Sequence, residues 1–500
     1  MLALNKEGLK DTAAWQKKGY ALPTFDREAV SKRTKENPTW IHFGAGNIFR
    51  AFQANVCQTL LNQGVLDTGL IVAEGYDYEI LESYNRPHDE FSILVTLKAD
   101  GTVEKTVVGS VMESCMLDEE NETEIARLRE IFRAPSLQMV SFTITEKGYK
   151  TAAYMKKVTG LLLERYKAGA LPVAMVSMDN CSHNGDKLKE ACLLMAKDFL
   201  TQGLCDQGFI DYLENGEKVS FPLSMIDKIT PRPDDKIKEM LIADGVADME
   251  PVITKKNTYV APFVNAEETE YLVIEDLFPN GRPALEKGGI YFTDRETVDR
   301  TEKMKVCTCL NPLHTALAIF GCLLGYTTIH DEMEDETLKK LVTKLGHEEG
   351  MPVVVNPGII KPEDFLEAVL TKRLPNPFMP DTPQRIACDT SQKLAIRFGE
   401  TIKAYRARND LSTESLTLIP VVFAGYLRYL QGIDDKGNAF EQSPDPLLEE
   451  LKALSPEDVL HRQDVFLVDL FADSMGQRCL DLFHQMQGAG NVRKTLEGLV

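Results

Sequence analysis

An N-terminal α/β domain built on a parallel sheet, followed by an all-α C-terminal domain, is the architecture this sequence predicts. Three observations carry that expectation. The first half alternates short β-rich runs with amphipathic stretches, as βαβ units do. A Gly44-Ala45-Gly46 turn directly follows the first of those runs. From about residue 295 the pattern becomes helical almost throughout. With 500 residues and 43% hydrophobic content the chain can bury two cores, so two domains are expected, over residues 1–290 and 291–500.

The candidate strands are TWIHF (39–43), LIVAE (70–74), SILVTL (92–97), QMVSFTI (138–144) and VAMVSM (173–178). Each is a short run rich in apolar and β-branched residues. The stretch 47–62 is amphipathic and closes at Gly64, a residue suited to a helix C-cap. Residues 253–276 read as added β structure, and the turn-rich PNGRP at 279–283 marks the boundary zone. Helical runs are expected at 313–326, 335–346, 363–371, 384–406, 414–431 and 463–486. The proline cluster of 372–385 forms a loop between two of them.

Composition excludes several classes of partner. A net charge of −20 repels nucleic acid and anionic membrane surfaces. A small anion can still bind where helix N-termini or local arginines act at short range. The ten cysteines are scattered and form no CxxC pair, which fits a reduced setting. The N-terminal stretch is charged throughout and has no signal-peptide core. The longest apolar stretch, from about Leu313 to Tyr326, is too short to span a bilayer. A cytoplasmic protein is expected.

The sequence TWIHFGAGNIFRAFQA places Gly44, Ala45 and Gly46 between a buried strand and a helix that opens with Asn47 and Ile48. Glycines there allow a tight turn and close approach of a pyrophosphate to backbone N–H groups. Phe49 stands where the full dinucleotide fingerprint has its third glycine, so the alternative is a plain strand-to-helix turn. Arg50, one turn into the helix, would add charge near the phosphates. Glu74 ends the second strand, where a carboxylate accepts hydrogen bonds from an adenosine ribose and repels a 2′-phosphate. Asp77 competes for that role, and a solvated loop carboxylate is the plain alternative. On this reading the domain is Rossmann-like and takes NAD in preference to NADP.

Lys305, Asn311 and His314 lie within ten residues in MKVCTCLNPLHTALA. An amine, a carboxamide and an imidazole can deprotonate an alcohol, hold an oxyanion and orient a hydroxyl. A lysine acting as base near neutral pH must lose its proton more readily than in water, which burial favours. Asn180 ends a predicted strand, where α/β sheets present ligand-binding residues. Structural roles are available too: Asn311 with Pro312 is a good helix-starting pair, Asn180 suits a turn, and His314 suits a helical interface. Cys307 and Cys309 with His314 have poor zinc spacing and read as small core residues, so no metal is expected.

Seven blocks occur in one order down the chain. They are HFGAGNIFRAFQA, TITEKGY (143–149), MDNCSHNG (178–185), FPLSMIDKITPRP (221–233), VIEDLFPNGRPALEKGG (273–289), LNPLHTALA and RIACDTSQK (385–393). Together they resemble the long-chain mannitol dehydrogenase family over roughly residues 38 to 450. The resemblance implies NAD-dependent, metal-independent interconversion of a secondary alcohol and its ketone on a polyol or sugar acid. D-fructuronate and D-mannonate are the leading pair, with fructose and mannitol, or tagaturonate, as alternatives. It implies that Lys305 is the catalytic base, that Asn180 and Asn311 bind the substrate oxygen, and that His314 orients the substrate. It further implies that Arg385 and Lys393 serve the substrate site and that Glu302 serves proton exit. A protein of another class, an NAD-binding sensor without turnover, would keep the fold alone.

One departure stands out. The family places four residues between the lysine and the asparagine, and this chain has five, Val306 to Leu310. One extra residue in a regular helix rotates what precedes it by about 100°. The expectation is therefore a helix locally widened or broken between about 306 and 311, helped by Pro312, which cannot donate to Thr308.

Overall fold

The computed structural model describes residues 1–500 and separates into two compact units. One comprises Met1–Lys98 and Thr102–Val298, and the other comprises Asp299–Val500.

The first unit is organised by a six-stranded sheet. Its strands are β1 (Trp40–Phe43), β2 (Leu70–Glu74), β3 (Val111–Met116), β4 (Met139–Phe142), β5 (Val173–Ser177) and β6 (Val219–Ser220). All pair in parallel, in the spatial order β3-β2-β1-β4-β5-β6. This is the doubly wound dinucleotide-binding order, with its switch point between β1 and β4. Alternate side chains enter two different cores. Ile41, Phe43, Ile71 and Phe142 face one, and Trp40, Leu70, Val72 and Met139 face the other. Burial on both faces is why these runs read as continuously apolar.

Strands 70–74 and 173–177 lie where the sequence puts them, and β3 was not foreseen. Its VMESCM carries Glu113 in mid-strand, where the carboxylate is held by Arg127 at 2.8 Å and 2.9 Å. SILVTL forms a strand, Ser92–Leu97, but outside this sheet. It pairs antiparallel with Val103–Val108 and in parallel with Phe263–Glu267. The connection closes at Lys98 N–H to Thr102 O (3.0 Å), too short for a parallel crossover, so the two strands form a hairpin. Residues 253–276 are β structure divided among separate sheets, with Tyr271–Glu275 pairing Ser224–Asp227 and Tyr291–Thr293.

The second unit is helical. Helices Asn311–Leu324, Glu336–Lys344, Pro362–Ala368 and Leu418–Leu430 match the predicted runs to within a few residues. Two runs are corrected. The run 384–406 is broken by Asp389, in the left-handed region at φ +53°, between Pro383–Ile386 and a helix resuming at Ala395. The run 463–486 splits into Gln463–Phe466 and Met475–Gln485. There Asp469 and Asp473 accept from the backbone N–H groups of Phe471 and Met475 (each 2.9 Å), local turns that compete with the helix. The helical run Arg295–Leu324 is long and apolar enough to cross a bilayer by composition, yet 78% of its apolar window is buried in the fold.

Burial raises two carboxyls in this unit, and they differ in what meets them. Glu349 accepts from the backbone N–H groups of Thr417, Leu418 and Ile419 at 2.6, 2.6 and 2.9 Å, capping the wholly buried helix 418–430. Glu332 is fully buried with neither oxygen hydrogen-bonded. It packs against Gly321, where any Cβ would come within 2.2 Å of its Oε1. Burial first, then Asp335 and Asp331, push its carboxyl well above the usual range. A raised folded pKa means stability is full below about pH 4.5 and declines as pH rises towards the folded value. Thermal melts of Glu332→Gln should therefore gain on the parent chain by ~2 °C or more between pH 5 and pH 9; equal pH slopes for the two proteins would refute an uncompensated carboxyl.

Candidate active site

In the first unit the glycine turn is fixed by sterics and by one carboxylate. Gly44 has φ +108°, and a Cβ there would lie 2.4 Å from the Thr143 carbonyl oxygen, so no other residue fits. Gly46 opens onto free space. Glu74, at the end of β2, accepts from Ala45 N–H (2.9 Å) through one oxygen. Its other oxygen accepts from Tyr76 (2.8 Å) and Asp77 (3.0 Å). Glu74 therefore braces the glycine turn to the loop after β2. Asp77 accepts from the Thr254 hydroxyl at 2.6 Å.

Asn47 and Ile48 open the helix, which then widens into a π-turn over Phe49–Gln53. Phe49 stacks on His42, with centroids 4.4 Å apart, so the third-glycine position is filled by a core ring. Sequence reasoning missed His42. Its ring nitrogens engage Ser141 Oγ (2.7 Å) and Thr143 Oγ1 (2.8 Å), and burial lowers it to about 3, leaving it neutral beneath the turn. Arg50 is turned inward. Its guanidinium is buried and donates to the Ala261 carbonyl (2.6 Å) and Asn47 Oδ1 (2.8 Å). It therefore ties the helix start to the segment between strands Tyr259–Val260 and Phe263–Glu267, and its buried Nε is left without a partner. The tight Gly44, the open Gly46 and the first-turn N–H groups of the helix form a cradle that fits a pyrophosphate.

Asn180 lies just beyond β5 and is exposed, on a loop held from three sides. Asp179 accepts from Ile144 N–H (3.1 Å), Thr145 N–H (2.7 Å) and the Tyr149 hydroxyl. Buried Asn184 donates to the Asp179 carbonyl (2.9 Å) and to Ser224 Oγ (2.9 Å), and accepts from Ser224 N–H (3.0 Å). Gly185 lets the next helix approach the backbone of Phe221 and Pro222, whose carbonyls would lie 2.7 and 2.5 Å from a Cβ. Three of the sequence blocks are thus one hydrogen-bonded assembly that positions Asn180.

In the second unit the expected widening is present. Helix Arg295–Met304 passes into a π-turn at Lys305–Cys309, closed by Leu310 N–H to Lys305 O (3.2 Å). Leu310 leaves helical geometry at φ −128°, ψ −62°, and Asn311–Leu324 resumes as α-helix. Leu310, and not Asn311, occupies the capping position, so the Asn311 side chain caps nothing. Lys305 is 4% exposed, and Glu302 lies one turn earlier, half-buried. Cys309 is a packed thiol, 3.9 Å from the Pro362 carbonyl and pushed up to about 12 by burial.

His314 is half-buried, and its Nε2, which is shielded from solvent, has no hydrogen-bond partner. Asp381 Oδ2 approaches to 3.5 Å, beyond hydrogen-bond length. The approach is not an ion pair, because the ring is neutral. Burial first, then Arg397, Arg385, Arg373 and Lys393, lower it to about 3. Arg385 pairs with Asp381, and Lys393 donates to the carbonyls of Ile386 (3.3 Å) and Cys388. Asp381, Arg373 and Arg397 were not singled out from the sequence, although Arg397 follows Lys393 by one helical turn.

A sheet in dinucleotide-binding order with a glycine cradle, in one chain with a helical unit carrying an amine, a carboxamide and an imidazole with an unpartnered nitrogen, defines a two-domain dehydrogenase. Comparison with known proteins makes the class specific. Residues 38–287 match the mannitol dehydrogenase Rossmann domain, and residues 297–473 match the mannitol dehydrogenase C-terminal domain. The chain belongs to the mannitol dehydrogenase family. It is 51% identical to the D-mannonate oxidoreductase of Thermotoga maritima, covering 100% of this chain and 99% of that one. A substrate-free D-sorbitol dehydrogenase superposes with a TM-score of 0.80 at 24% identity, covering 96% and 97% of the two chains. The mannitol 2-dehydrogenase of Pseudomonas fluorescens, in a ternary complex with NAD and D-mannitol, superposes at 0.70 and 24%, covering 99% of each.

Two outcomes follow from the geometry. Glu74→Ala removes the acceptor of three buried backbone N–H bonds and should cost ~2–4 kcal/mol of stability in urea titration; a loss below 0.5 kcal/mol would show that the brace is dispensable. The lowered His314 and His42 favour the neutral ring, so stability is full above about pH 6.5 and falls as pH drops towards about 3. Ring resonances of both should stay at neutral shifts from pH 8 to pH 5, and a midpoint near 6.5 would contradict the assignment.

Proposed function

We propose that this protein is a cytoplasmic, NAD-dependent oxidoreductase that interconverts D-fructuronate and D-mannonate. The observation that carries the reading is the first turn of helix 311–324. There a half-buried, neutral imidazole whose shielded Nε2 is unsatisfied follows Asn311 among several cations. Buried polar atoms are rarely left unpaired, and a substrate hydroxyl is the partner this one lacks. Full-length likeness to a D-mannonate oxidoreductase supports the choice of substrate.

In this reading the first unit binds the dinucleotide through Gly44, Ala45, Gly46, Asn47 and Ile48, with the spare lone pairs of Glu74 open to the ribose. When bound, NAD supplies or accepts the hydride. Lys305 takes the hydroxyl proton in oxidation and returns it to the carbonyl oxygen in reduction. The carboxamides of Asn180 and Asn311 donate to that oxygen as its charge grows, which selects the transition state over the ground state. His314 Nε2 accepts from, or donates to, the neighbouring hydroxyl according to tautomer. Glu302, half-buried one turn before Lys305, passes the proton towards water. Arg385 and Lys393 belong to the substrate region.

Steady-state assays with NADH should show D-fructuronate reduced with a higher kcat/KM than D-tagaturonate or D-fructose; a preference for fructose would assign the chain to polyol oxidation instead. Lys305→Met should lower kcat by ~10²–10⁴-fold while leaving NADH binding intact. NADH binding without turnover of any of these substrates by the parent chain would make it a sensor.

A further inference from the structure

We infer that Arg397, seconded by Lys393, is the receptor for the carboxylate of an acidic sugar, and so the residue that favours a sugar acid over a neutral polyol. The inference rests on the functional reading above and deepens it.

Arg397 is a cation that no carboxylate of this chain neutralises. Arg397 lies in a π-turn, Ala395–Gly399, and its Nη1 donates to the hydroxyl of Thr315, the residue after His314. That neutral hydroxyl is the acceptor it finds, and no carboxylate pairs with it. Burial alone pulls it down to about 10. A guanidinium carries five N–H donors, and this half-buried one spends a single side-chain bond on a neutral hydroxyl.

Arg165 and Arg428, which lie fully inside the fold, find several acceptors each. Arg165 donates to the carbonyls of Phe132, Ala134, Leu137, Leu171 and Pro172 at 2.7–3.1 Å. Arg428 donates to Met486, Gln431, Ile433 and Asp434. Arg397 departs from this pattern beside the candidate catalytic turn.

Its neighbours sharpen the assignment. Arg385 is already neutralised by Asp381, and its side chain is 61% exposed, which makes it a poor receptor. Lys393 lies one turn before Arg397, with Arg397 N–H bonded to Lys393 O at 3.0 Å. Like charges at that spacing repel. A bound carboxylate would relieve both the repulsion and the unmet donors, and a planar guanidinium can hold it through two parallel hydrogen bonds. The primary alcohol at the same end of a neutral polyol offers no such charge.

The test compares the parent chain with Arg397→Gln and Arg397→Lys, using NADH with D-fructuronate and with D-fructose. The glutamine variant should raise KM for fructuronate by about 10–100-fold and leave KM for fructose within about threefold. The lysine variant should recover part of the loss without restoring the parent value. NADH affinity by fluorescence should be unchanged in both. In the parent enzyme, D-gluconate should inhibit at least about tenfold more strongly than D-sorbitol, a readout that needs no variant. A parent chain that does not reduce fructuronate refutes the functional reading. A parent that does, with an unchanged KM in Arg397→Gln, refutes this inference. Equal losses on both substrates, or equal inhibition by gluconate and sorbitol, also overturn it.

Discussion

The hydrogen bond from Leu310 N–H to the Lys305 carbonyl, spanning five residues instead of four, is the constraint on which the candidate site depends. Six residues from Lys305 to Asn311 in an unbroken α-helix would turn through about 600°, and the shorter family spacing of five through about 500°. The π-turn stores the additional residue in a bulge, and Pro312 makes this cheap because it has no N–H to offer Thr308. The first turn after the bulge then presents Asn311 and His314 on a helix that is otherwise buried along its length. Sequence, backbone and chemistry meet in that one irregularity.

Much of this was legible in the residues, for physical reasons. A parallel sheet covered on both faces must be apolar at successive positions, so WIHF, LIVAE and VAMVS announce themselves. VMESCM did not, because Glu113 is neutralised by an arginine from a helix, which no local pattern reveals. Hydrophobic periodicity carried the run 463–486 through a break that aspartate side chains impose by bonding their own backbone. In the site, the glycine turn was readable because Gly44 alone tolerates its backbone, whereas the inward turn of Arg50 depends on the Ala261 carbonyl more than 200 residues away. Arg397 could have been found by counting one turn on from Lys393. Its lack of a carboxylate partner could not, since that is a property of the packed unit.

Electrostatics in the second unit are arranged against the charge of the whole. A chain of net charge −20 keeps four cations within reach of one neutral histidine, opposed there by Asp381. The arrangement suits an acidic ligand: the distant field discourages indiscriminate polyanions, and the local one rewards a small carboxylate that fits. Glu349 and Glu332 show the same principle inverted: burial raises both carboxyls, and only at Glu349 do backbone N–H groups oppose the rise.

The π-turns carry a consequence for recognising such proteins. Six interrupt helices of this chain, and four of them hold Arg50, Lys305, Arg373 and Arg397. Wherever a turn widens, residue count and angular position part company. A search that demands fixed gaps between chemically important residues uses the chain as a ruler, and at these places the ruler stretches. Patterns for enzymes of this build are better written with elastic gaps centred on helices, so that one inserted residue changes the spelling of a site without disqualifying it.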